Sequence, residues 1–189
     1  MAQWGYAYAL GPNYNAGMEA DNYERAYEAI QSAIAIARNN GTEKERELIA
    51  ALAKRYVEKP VDDRYQLDVD YANAMEKVFS KYQDDADVGT LFAESLMNLH
   101  KWDLYDKSGE AKVWTPQILS TLESVFDVNP RHCGANHFYI HVVESSNNPA
   151  AGLRSAQLFD EGLVPNAGHL VHMPSHIYIR TGDYHKGTI

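Results

Sequence analysis

Apolar residues recur along this chain at the three- and four-residue steps of a helix, and no stretch alternates apolar and polar positions between hairpin turns. The clearest case is residues 21–38, where Tyr23, Ala26, Ala29, Ile30, Ala33, Ile34 and Ala37 share one helical face. Asn39-Asn40-Gly41 stops that helix, and Thr42 with Glu45 three positions on is the pattern of a capping box opening the next one. That second helix is predicted to run to about Glu58, ahead of Pro60. A third spans 65–82 and is broken by Gln83-Asp84-Asp85. The fourth, 87–99, sets Leu91, Phe92, Ser95 and Leu96 along one side. Residues 99–114 lose the periodicity and read as an insertion loop carrying Trp102 and Trp114. A fifth helix covers 116–127 and ends before Asn129-Pro130.

The remainder repeats itself. Pro130 and Pro165 lie 35 residues apart, as do His137 and His172, His141 and His176, and the turns Asn147-Asn148-Pro149 and Gly182-Asp183-Tyr184. One period reads as helix, turn, helix, proline, close to the roughly 34 residues of a tetratricopeptide repeat. The predicted fold is therefore all-α, an α-solenoid of antiparallel helix pairs forming one repeat domain over residues 1–189. Within it, N-terminal helices occupy 1–60, middle repeats with the 99–114 insertion occupy 61–130, and histidine-rich repeats occupy 131–189.

Composition narrows the function classes. Apolar residues make up 45% of the chain, yet no run approaches the roughly 18 residues of a membrane span. A formal net charge of −9, spread along the sequence, argues against nucleic acid as a partner, because basic patches supply most of that affinity. The single cysteine, Cys133, excludes an internal disulfide framework and a cysteine-based zinc site, and is expected to be a small buried apolar residue. The first residues carry no signal pattern, which leaves the compartment open: cytoplasm, or periplasm if a signal precedes Met1.

Four segments carry a family resemblance: Trp4-Gly5 with Leu10-Gly11-Pro12-Asn13-Tyr14-Asn15, then 93–99 (AESLMNL), 134–144 (GANHFYIHVVE) and 167–178 (AGHLVHMPSHIY). Together they resemble a family of bacterial tetratricopeptide-repeat proteins of undefined activity, over nearly the whole chain. The resemblance implies the repeat fold and flanking repeats on both sides, so that this chain is expected to be a piece of a longer protein. It also implies a register. With Gly182-Asp183-Tyr184 at the turn between the helices of a repeat, His169, His172 and His176 fall on groove-facing positions, as do His137, His141 and Glu144 one repeat earlier. The same register makes Glu94 and Arg180 groove contacts.

Helix geometry points the same way for the histidines. Residues i, i+4 and i+7 share a face, so His137, His141 and Glu144 form one stripe, and His172 and His176 another. Imidazoles reaching from two adjacent helices can meet at one ion, and an all-histidine set with a carboxylate suits copper or zinc, with iron and nickel as further options, and disfavours calcium and magnesium. The expected site is a transition-metal centre of His137, His141, His172 and His176, with Glu144 and His169 as further ligands. Pro174 predicts that its helix begins near Val171, which would leave His169 just before the stripe. Two other readings stand beside this one: a packed, hydrogen-bonded histidine cluster, or an organic-ligand pocket. At the level of the whole protein the alternative is a scaffold holding a peptide or protein in the groove. His100, His132 and His185 are expected to be structural, and Tyr139 and Tyr178 to pack between helices. No phosphate loop, zincin motif, nucleophile elbow or dinucleotide fingerprint occurs. Whether the protein is an enzyme is left undecided; any chemistry would be metal-dependent.

Overall fold

The computed structural model describes residues 1–188. Those residues form an all-α protein: α1 (Ala2–Leu10), α2 (Asn22–Asn40), α3 (Glu43–Ala53), α4 (Tyr65–Lys81), α5 (Ala86–Leu99), α6 (Thr115–Val128), α7 (Cys133–Val143), α8 (Leu153–Asp160) and α9 (Gly168–Thr181), with 3-10 turns at Pro149–Gly152 and Lys186–Thr188. Among them the only β-type pairings are isolated bridges, Asn13 with Ala16 and Tyr105 with Ala111. Among the described residues no helix is long and apolar enough to cross a membrane. The chain divides into two compact units, residues 1–83 with 94–101, and residues 84–93 with 102–189.

In the first unit α1 packs on α2, α2 on α3 and α3 on α4. The predicted face of α2 is the buried one, with Ile30 fully enclosed and Tyr23, Ala26, Ala29, Ala33 and Ala37 beside it. The capping box is formed as read: Thr42 accepts from the Glu45 backbone N–H, and the Glu45 carboxylate accepts from that of Thr42 at 2.8 Å. The α3 helix, however, stops at Ala53 rather than near Glu58. Its last turn tightens through Lys54 N–H to Ala51 O and Arg55 N–H to Leu52 O. Tertiary bonds then take over. Arg55 Nε donates to Asp68 Oδ1 at 3.1 Å, Arg64 Nη2 donates to the Arg55 carbonyl at 3.0 Å, and the Tyr56 hydroxyl donates to Ala7 O at 2.6 Å. Those long-range partners outweigh the local helix preference of residues 54–58.

The second unit is built around Ile140, Val143, Ala156, Phe159, Met173, Ile177 and Tyr178, contributed by α7, α8 and α9, with Tyr139 packed against them. Gly152 is what lets the 3-10 turn sit so close to α9. A Cβ there would meet Ile177 Cδ1 at 2.6 Å and Val143 Cγ2 at 3.0 Å. At the other end of α9, Gly182 takes the left-handed conformation (φ +83°) that closes a helix.

Two expectations need correcting here. The α9 helix starts at Gly168, with Pro174 well inside it. Ala167 O already accepts from Leu170 N–H and Val171 N–H, so the helix is under way a full turn before the proline. Pro174 costs the α9 ladder the bond to Leu170 O. It is itself buried beside the fully enclosed Met173, and that core packing offsets the lost bond. Cys133, expected inside, is exposed at the first turn of α7.

Candidate metal centre

The 35-residue offset of the sequence survives in three dimensions: α7 begins at Cys133 and α9 at Gly168, and the two helices pack together. Each turns its apolar side, Ile140 and Val143 on one and Met173 and Ile177 on the other, into the shared core. The histidine stripes lie next to those apolar stripes, so packing the cores brings the imidazoles together. All lie within the second unit.

His137 and His169 approach with their Nε2 atoms 3.0 Å apart, and His172 and His176 with theirs 3.2 Å apart. Ring centroids of neighbouring imidazoles lie 4.9 Å apart for His137 and His141, 4.9 Å for His169 and His172, and 5.5 Å for His141 and His176. Two sets of donor atoms lie within 4.8 Å of one another, His137 with His141 and His169, and His141 with Glu144 and His176. Hence His169, placed off the stripe by the proline argument, is among the most closely engaged members.

Glu144 organises the cluster. As the residue capping α7, its Oε1 lies 3.0 Å from His141 Nδ1 and its Oε2 2.6 Å from His176 Nδ1. Burial would raise its pKa, but the hydrogen bonds from His141 and His176 prevail and hold it down to about 2. An ionised carboxylate can only accept, so both Nδ1 atoms carry the protons. In the neutral rings the lone pairs then sit on Nε2, and that of His141 is shielded from solvent. Burial, reinforced by His141, His169, His172 and His176, holds His137 down to about 3. Removal of its ring from water, with His172, His141 and His176 adding, lowers His169. The hydrogen bond to Glu144 raises His176. His137 and His169 therefore favour the neutral form that metals bind, while His176 holds its proton more tightly.

The remaining predicted residues fall elsewhere. Glu94, expected as a groove contact, is 2% exposed in the first unit, where Asn98 Nδ2 donates to its Oε1. Burial raises its pKa against the opposing pull of Arg55, Asn98 and Tyr8. Arg180 is exposed on the last turn of α9. His132 is structural: its Nδ1 accepts from Ala135 N–H to cap α7, and its Nε2 lies 3.0 Å from Asp87 Oδ1. Sequence reasoning missed Trp102, whose ring meets His141 edge-on at 5.9 Å between centroids. Its only sequence signal was a tryptophan in a segment without periodicity.

The fold and site together define an all-α protein with a five-histidine, one-carboxylate cluster between two helices of equal phase. Compared with family models, curated proteins and solved structures, the chain finds no match.

Proposed function

We propose that this protein binds a transition-metal ion between α7 and α9, with His137, His141 and His169 as the inner ligands and His172 and His176 completing or flanking the set. The observation that carries this reading is the pair of Nε2–Nε2 approaches at 3.0 and 3.2 Å. Two nitrogens at about 2.05 Å from one metal lie roughly 2.9 Å apart at a right angle and roughly 3.3 Å apart at a tetrahedral angle. The observed spacings fall between those limits, as copper or zinc would require, with iron and nickel also within reach of imidazole donors. Two imidazoles at that distance either share a proton or face a common ion, and two such pairs in one place favour the ion. In this arrangement Glu144 orients His141 and His176 through Nδ1, rather than taking a coordination position of its own.

The helix pairing supports a repeat arrangement as part of the same proposal. In it α7 and α8 form one antiparallel pair and α9 opens the next, in the manner of tetratricopeptide repeats. The metal would then bridge successive repeats on the groove face.

The role of Glu144 gives a direct test. Glu144→Gln keeps the size of the side chain but loses the charge that fixes both tautomers, and should weaken copper or zinc binding about 10- to 100-fold. Isothermal titration calorimetry on the wild type and variant measures it. Equal affinities would remove Glu144 from the site.

A further inference from the structure

Beside the cluster stands a residue the metal reading leaves unexplained. Trp102 is the one non-glycine residue among those described with a positive φ, at 58°. A bulky side chain enters that left-handed region only when its surroundings force it to, and such outliers gather at functional sites. The surroundings here are specific. The loop that carries Trp102 is tied immediately after it: Trp114 Nε1 donates to Asp103 O at 2.9 Å, Lys112 N–H donates to Leu104 O at 3.0 Å, and the Thr115 hydroxyl donates to the same carbonyl. Farther along, Asn147 Nδ2, just past α7, donates to Glu110 Oε1 at 3.3 Å. The loop is thus a strap fastened beside the histidine helix, and it presents an indole that is 61% exposed against His141. A tryptophan held in a costly conformation, largely in water, and touching a buried imidazole of the cluster is poorly explained as packing.

We infer that Trp102 is the wall of a ligand subsite beside the metal centre, for a small planar aromatic molecule that reaches the ion through a nitrogen or oxygen donor. The inference rests on the metal reading. An indole face attracts both cations and aromatic rings. With a divalent ion adjacent, a cationic ligand is repelled, which leaves a neutral or anionic aromatic such as an azole, a phenolate or an aromatic carboxylate. The most exposed histidines of the cluster, His169 and His172, leave one side of it open to such a ligand.

The test uses the whole protein loaded with copper(II), with imidazole and 4-phenylimidazole as probes, followed by the visible absorption and paramagnetic resonance of the copper. Wild type is expected to prefer 4-phenylimidazole over imidazole by about 3- to 10-fold, the gain of one aromatic contact. Trp102→Ala should erase that preference, and Trp102→Phe should restore part of it, with copper affinity and circular dichroism unchanged in both. Copper bound normally but with the same preference in wild type and Trp102→Ala overturns the subsite alone. Failure of the wild type to bind copper overturns the metal reading and the subsite with it.

Discussion

Zinc or copper added to the metal-free protein is expected to raise its melting temperature by about 8–16 °C at neutral pH when the free metal is about a thousandfold above its dissociation constant. A ligand that binds only the folded state contributes about 4 kcal/mol at that excess. For a chain of this size each kcal/mol moves the midpoint by about 2–4 °C. The size of the effect follows from where the ligands sit: α7 and α9 are far apart in sequence and both line the core of the second unit, so unfolding disperses the site. The sign with pH is fixed by competition for the same lone pairs. Protons compete first at His176, whose pKa is raised by its bond to Glu144, and last at His137, held down to about 3. The gain should therefore begin to shrink above about pH 6.5, where His176 protonates, be clearly reduced by about pH 4, and be lost fully only as pH falls through about 3, where His137 protonates. Differential scanning calorimetry across that range reads it directly. A metal-induced rise that persists unchanged at pH 4 would place the metal on carboxylates instead.

Arg55→Met is expected to be the most damaging single substitution outside the cluster, lowering stability by about 3–5 kcal/mol, or roughly 6–20 °C in the midpoint. Arg55 is fully buried in the first unit, its Nε bonded to Asp68 and its guanidinium 4.9 Å over the Tyr71 ring. Methionine fills similar space but leaves the Asp68 carboxylate, whose side chain is only 12% exposed, with Arg64 at 3.7 Å as its remaining ion-pair partner, and removes the positive charge that opposes the burial of Glu94. Removing the one cation that compensates both buried Glu94 and much of Asp68 is what makes the change severe. The reverse substitution pattern supports the cause: adding Asp68→Leu to Arg55→Met should recover much of the loss. Urea denaturation of the three proteins decides it. A loss below about 1 kcal/mol for the single variant would mean that the network carries little of the stability of the first unit.

The helices were largely legible in the sequence because their signals are local. The i, i+3, i+4 spacing of α2 and the Thr42–Glu45 box need no distant partner to be recognised, and both stand in the structure. The histidine stripes were legible for the same reason, since spacing along a helix determines which side chains share a face. What the sequence hid depended on distant contacts. The early end of α3 is set by Ala7, Arg64 and Asp68, none of them its helical neighbours. Pro174 read as a helix start because its ring and missing N–H are local facts, whereas the burial that holds it inside α9 is not. Glu94 looked like a groove carboxylate by register and proved to be a buried partner of Asn98. Nothing in a loop without periodicity reveals a left-handed Trp102, or that its ring touches His141.

The central claim is that the histidines of α7 and α9 hold a metal, and the measurement that tests it most directly is the metal content of the purified protein by elemental analysis, before and after dialysis against zinc or copper. It is run beside His141→Ala/His176→Ala and beside His137→Ala/His169→Ala, with circular dichroism to confirm that each variant is folded. The second pair includes the exposed His169 and spares the buried His141, which keeps the test decisive if the first pair unfolds. The account predicts about one bound ion per chain in the native sequence and loss of that ion in both double variants. A native protein that neither carries nor takes up a stoichiometric metal, or a folded double variant that retains it unchanged, would contradict the account.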